Sequence, residues 1–137
     1  GLGRVFNVIA VADDVYVPLK DGSAVSFVCH LAAGDTYTVT SAASAAGSGA
    51  AVLATVDHFY DSTGVGGAWS KVTQTAASTV VNDGTAGHDC SVFTISGAEL
   101  PDGHTHVKVA STSTGTVVAI LHDLAVQRAP ENLAALV

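Results

Sequence analysis

The sequence predicts an all-β fold: an antiparallel β-sandwich, jelly-roll or Ig-like, of roughly eight or nine strands with a short C-terminal arm. Three observations predict it. Apolar and polar residues alternate with period two, as in "TYTVTSA" (36–42). Turn residues interrupt that pattern about every 8–12 positions, the spacing of short sandwich strands. No internal stretch keeps a helical period, and the alanine-rich "SAASAAGSGAAVLA" is broken by Gly47 and Gly49.

The elements follow in order. "RVFNVIAVA" (4–12) reads as the first strand, and "DDVYVPL" (13–19) continues extended to the turn "KDG". "SAVSFVCHLA" (23–32) is a strong strand, closed by "AGD", and 36–42 is half-buried. "ASAAGSGA" (43–50) is a small-residue connection before the apolar run "AVLATVDHFYDS" (51–62). Beyond the glycine-rich residues 63–68, "WSKVTQTAASTVV" (69–81) is strand-like, and the Asn-Asp-Gly signal marks 82–89 as a loop. "CSVFTIS" (90–96), "HTHVKVAST" (104–112) and "TVVAILHDLAVQR" (116–128) complete the strands. Residues 1–128 are therefore expected to form the sandwich domain. Pro130 cannot donate to a sheet ladder, so 129–137 is expected to leave it as a docking arm. Leu133, Leu136 and Val137 give that arm an apolar side.

At 137 residues the chain is long enough for one buried core. Charged residues are only 12% of it, about half the usual share, so its surface is small and weakly polar. Such a surface suits a protein that packs against neighbours better than a freely diffusing one. The net charge of −7 and the scatter of Arg4, Lys20, Lys71, Lys108 and Arg128 leave no basic stripe for a phosphate backbone, which argues against nucleic acid as a partner. No apolar run is long enough for a membrane-spanning helix, so no membrane is expected. The N-terminal stretch also lacks the basic-then-apolar pattern of a signal peptide.

Little in the chain reads as chemistry. His104 and His106 in "PDGHTHVKVAS" could project from one strand face toward one ion. Cupin barrels use such an H-x-H pair, but with a glutamate a few residues on, whereas here Lys108 intrudes and no carboxylate follows. No metal is expected. His88-Asp89, His122-Asp123 and Asp57-His58 could each be half of a catalytic dyad, but no serine sits in a G-x-S-x-G elbow. Histidines bonded to their neighbours are the expectation, with no catalytic residue. The glycines at 64–67 lack the Lys-Ser/Thr partner of a phosphate loop, and no cofactor is implied. Trp69, the single tryptophan, fits two placements: a plug at one end of the core, or an exposed anchor for a protein or a sugar ring. Cys29 and Cys90 lie in apolar runs without metal-type spacing and read as buried free thiols.

"VFTISGAELPDGHTHVKV" together with "TVVAILHDLAVQRAPENLAALV" resembles small virion proteins of tailed bacteriophages infecting actinobacteria, in particular head decoration (capsid cement) proteins. The likeness is specific over roughly the last third of the chain and lies in phrasing, with no catalytic signature. It implies a non-enzymatic β-sandwich on the capsid exterior, assembled in the host cytoplasm, bound to the major capsid protein and self-associating as a homotrimer. A reducing cytoplasm would keep both thiols free. Trp69, Pro130, Leu133, Leu136 and Val137 are the residues expected to meet partners. The alternative reading is a carbohydrate-binding β-sandwich of a phage tail or a secreted protein.

Overall fold

The computed structural model describes residues 6–62, 67–84 and 89–125. Two antiparallel sheets face each other, as the alternation predicts. The larger sheet has six strands: β1 (Phe6–Ile9), β3 (Gly22–His30), β6 (Val56–Ser62), β7 (Trp69–Ala77), β9 (Cys90–Ser96) and β11 (Thr116–Leu124), in the order β1-β11-β3-β9-β6-β7. The smaller sheet contains β2 (Val17–Pro18), β4 (Asp35–Ala42), β5 (Ala51–Val52), β8 (Thr79–Asn82) and β10 (His106–Ser111). Its order is β2-β10-β4-β5, with β8 pairing β4 beside β5. These eleven strands exceed the eight or nine expected. The expected C-terminal arm, with Pro130, Leu133, Leu136 and Val137, lies outside the described residues.

Two of the extra strands come from sheet switching. The sequence predicts one strand over 51–62, yet this run divides at Leu53–Thr55, where β5 leaves the smaller sheet and β6 enters the larger. Leu53 is buried at this corner, and its N–H donates to Val39 O. The run 69–81 divides at Ser78 in the same way, between β7 and β8. An apolar run looks the same whether or not it changes sheets, because the change of sheet alters no local propensity. The stretch 13–19 is mostly irregular: Asp14 takes φ 57°, Asp13 makes an isolated parallel bridge to Val109, and the strand proper is only Val17–Pro18.

Alternation places every second residue inside. Val25, Phe27 and Cys29 of β3, Phe93 and Ile95 of β9, and Val117, Ala119 and Leu121 of β11 form one wall. Tyr37, Val39, Val107, Val109 and Val80 form the other. Phe27 and Phe93 stand opposite each other across β3 and β9, with ring centroids 5.7 Å apart. A cross-strand aromatic pair of this kind adds about 0.5–1.5 kcal/mol beyond its buried area.

A carboxylate fixes the turn that carries the chain from one sheet to the other. Asp35, at the start of β4, is 9% exposed and accepts hydrogen bonds from the N–H groups of Thr36, Ser113 and Gly115 and from Ser111 Oγ. Burial alone would raise its pKa, but these donors together outweigh that and hold it below the usual carboxylate value. Gly115 makes the approach possible, since a Cβ there would collide with the Tyr37 hydroxyl and with Asp35 Oδ2.

A depressed folded-state pKa stabilises the fold above the unfolded value, and that stability disappears as pH falls. Asp35→Ala should therefore cost about 2–4 kcal/mol near pH 7. The gap between variant and wild type should close as pH drops below about 3.9. Urea unfolding of both proteins across that range measures it, and a gap independent of pH would refute the clamp.

Candidate docking face

Each sheet has a second face, and the two differ. On the smaller sheet the outward residues of β4 are Thr36, Thr38 and Thr40, flanked on β10 by Ala110, Lys108 and His106. Exposed Val52 and Val81 stand singly among these threonines. Water solvates such a surface without difficulty.

The outer face of the larger sheet carries one mainly apolar row between two mixed ones. Register places Val118, Val28, Val92, Tyr60 and Lys71 in one transverse row across five strands. A second row holds Val8, Ile120, Ser26 and Thr94, with His58 and Thr73 beyond. A third holds Thr116, His30, Cys90, Ser62 and Trp69. No Asp or Glu occupies these rows, in a chain carrying 12 acidic residues. Exposed large apolar side chains that form a contiguous patch, unlike scattered ones, mark interaction surfaces.

Trp69 lies on this face at 54% exposure, and Tyr60 at 44%. Of the two placements open to Trp69, the structure shows the exposed one. Tyr60 and Trp69 come from adjacent antiparallel strands, opposite Lys71 and Ser62 respectively, and line a shallow hollow with Val92. The edge of the His58 ring meets Tyr60 at 85°, with centroids 6.1 Å apart, which helps to fix the tyrosine. The other candidate partner residues, Pro130, Leu133, Leu136 and Val137, fall outside the described residues.

Polar groups on this face are bonded to one another. Ser26 Oγ lies 2.7 Å from Thr94 Oγ1 and 2.9 Å from His122 Nε2, and His122 Nδ1 lies 2.8 Å from Asp123 Oδ2. Asp123, His122 and Ser26 thus meet in the order of a catalytic triad, a coincidence of three strand residues that sequence spacing cannot reveal. Among the described residues, geometry gives Ser26 a base but no oxyanion site. β3 is paired on both sides, so the N–H groups around Ser26 belong to the sheet ladders. A developing oxyanion would find no preorganised donor there, and such donors usually lower the barrier to acyl transfer more than any other single feature. Asp123 holds φ 53°, a conformation uncommon outside glycine, which turns its carboxylate back onto the neighbouring imidazole.

The remaining histidines are held apart. His104 Nδ1 is 2.8 Å from buried Ser41 Oγ, and His106 Nδ1 is 2.8 Å from Thr105 Oγ1. Lys108 shares the outward side of β10 with His106, binds Asp14 at 2.5 Å and lies 4.9 Å from the centroid of Tyr16. Among the described residues no group of three or more His, Cys, Asp or Glu could hold a metal ion. His58 contacts Asp57, and His88 falls outside the described residues. No helix among the described residues is long and apolar enough to cross a membrane.

Both cysteines are free. Cys29 is buried in the core as expected, but Cys90 is only half-buried, because it opens β9 on the outward parity. Burial pushes both thiols up, that of Cys29 far more, with Asp89 contributing at Cys90.

No protein family model matches the chain, and neither the curated proteins nor the solved structures give a match.

A thiol reagent should consequently label the native protein in two phases. Cys90 should react first and slowly, and its rate should still be rising with pH beyond the ordinary thiol value of about 8.5. Cys29 should react only on unfolding, bringing the total to two per chain. Equal native rates, or fewer than two thiols after unreduced denaturation, would contradict this.

Proposed function

We propose that the chain is a structural virion protein, a decoration protein that binds the outside of a bacteriophage head shell and stabilises it through protein–protein contact. The observation that carries this reading is the row Val118, Val28, Val92 and Tyr60 on the six-stranded sheet, with exposed Trp69 beside Tyr60 and no carboxylate in this row or the two flanking it. Exposed Tyr and Trp are the residues that most often anchor protein interfaces. The low charge density and the phage-protein phrasing of the last third support the same reading. Acidic net charge on a particle surface limits sticking between particles. The major capsid protein is the proposed partner, and the segment 129–137 is proposed as a second, independent docking element.

The Tyr60–Trp69 hollow favours one alternative, the stacking of a sugar ring. Sugar sites pair such a platform with planar amides or carboxylates that take the ring hydroxyls in pairs. Among the described residues, the nearest side-chain amide on β7, that of Gln74, donates instead to the carbonyls of Val56 and Thr79. The chemistry beside the platform suits an apolar protein surface better.

Purified protein should co-sediment with undecorated phage shells from an actinobacterial host. Trp69→Ala or Tyr60→Ala should weaken that binding about 10–100-fold, at unchanged melting temperature. Truncation after Arg128 should weaken it further without lowering the melting temperature. Glycan-array binding that disappears in Trp69→Ala, with no shell binding, would establish the sugar reading instead.

A further inference from the structure

We propose that Ser26 is a reactive nucleophile, acylated once per chain by activated acyl donors of the aryl-ester class and freed from that adduct only slowly. The proposal concerns the free chain and does not depend on the docking reading.

With the His122 ring neutral, the protons of this network have one consistent arrangement. The Asp123 carboxylate can only accept, so His122 Nδ1, 2.8 Å away, carries a proton. Nε2 is then bare, and Ser26 Oγ at 2.9 Å donates its single proton to it. Thr94 Oγ1, 2.7 Å from Ser26 Oγ, therefore donates to Ser26. A hydroxyl oxygen has two lone pairs. Ser26 keeps one of them for attack, while a base is already in place to take its proton.

Strand pairing explains why these groups meet. Ser26 stands opposite Thr94 on one side and Ile120 on the other, and His122 stands opposite Ala24. Diagonal neighbours on a sheet face lie about 7–8 Å apart, a gap that an aromatic side chain spans. Ala24 has only a methyl group, which leaves the imidazole room to lean along β3 toward Ser26. Asp123, held at φ 53°, secures the other ring nitrogen. Ser26 and His122 are half-buried and Thr94 is exposed, so the site is open to a small reagent.

The lack of an oxyanion site decides what such a serine does. In acylation, Ser26 Oγ bonds to the ester carbonyl carbon and His122 Nε2 takes the hydroxyl proton. The phenolate departs with the bonding electron pair, and His122 then returns the proton to solvent. A nitrophenolate leaves readily, so this step needs little beyond the base, and a positioned base contributes about 10²–10⁴-fold. Hydrolysis of the adduct must instead expel the Ser26 alkoxide, a poor leaving group. It passes through a tetrahedral oxyanion that the N–H groups committed to the sheet ladders do not stabilise. Acylation therefore outruns release, and the acyl group stays on Ser26.

Treatment of the full chain with p-nitrophenyl acetate at neutral pH tests this. The expected result is a single burst of nitrophenolate, stoichiometric with the chain, and an acetyl group that peptide mass mapping places on Ser26. His122→Ala should slow the acetylation about 100-fold. Asp123→Asn should slow it at least about tenfold, and both variants should keep the wild-type melting temperature. Ser26→Ala should abolish the burst. Should that variant fail to fold, the position of the acetyl group in the wild-type chain decides the matter. The proposal is overturned by a burst that persists in Ser26→Ala, or by an acetyl group found on a histidine, a lysine or the N-terminus in place of Ser26. An unchanged rate in His122→Ala, or steady nitrophenolate release with no accumulating adduct, overturns it equally.

Discussion

Two sheets can share only one interior, and every other feature of this protein follows from how the leftover faces are treated. β3 lies inside the larger sheet, between β11 and β9, and its inward residues Val25, Phe27 and Cys29 are fully buried. Period two then forces Ser26 and Val28 outward, whatever their chemistry. In β4 of the smaller sheet the same rule sends threonines outward, and the fold needs nothing further there. In the larger sheet it sends valines, an isoleucine and a tyrosine outward together with serines, threonines and histidines, so that face is mixed where the other is mainly threonine.

That difference is written in the sequence. "TYTVTSA" alternates cleanly, the pattern of a strand with one wet face, and it forms β4 with boundaries close to those expected. "TVVAIL" at 116–121 and "AVSFVC" at 24–29 do not alternate: they carry apolar residues on both parities. Register supplies the remaining information, because only pairing places Val118, Val28, Val92 and Tyr60 in one row. Trp69 is recognisable from sequence as a candidate anchor, but its exposure depends on β7 ending the sheet. The corners at 53–55 and at Ser78 are not legible, since a chain that changes sheets changes no local propensity.

The Asp123–His122–Ser26 alignment illustrates a different limit of sequence reading. His122 and Asp123 are neighbours, yet Ser26 lies 96 positions from His122 and joins it only because β11 pairs β3. The resulting geometry resembles a hydrolase and lacks its most demanding component. A nucleophile in the middle of a sheet strand cannot borrow N–H groups that the ladder already uses, whereas loop-borne nucleophiles can. The three bonds instead make a self-satisfied polar island in an apolar field.

The β7 edge of the larger sheet is less suited to contact than the face beside it. β7 ends the sheet with nine residues, a length that invites pairing with another chain. It carries Lys71, and its pairing with β6 is disturbed where Val56 opposes Ala77 but His58 opposes Thr73. Gln74 repairs that disturbance by donating to Val56 O and Thr79 O, 2.9 Å each, in place of regular ladder bonds. A charge and an irregular register are common devices by which sheets discourage edge-to-edge growth. With the β7 edge blunted in this way, the central row of Val118, Val28, Val92 and Tyr60 offers association a surface that this edge does not.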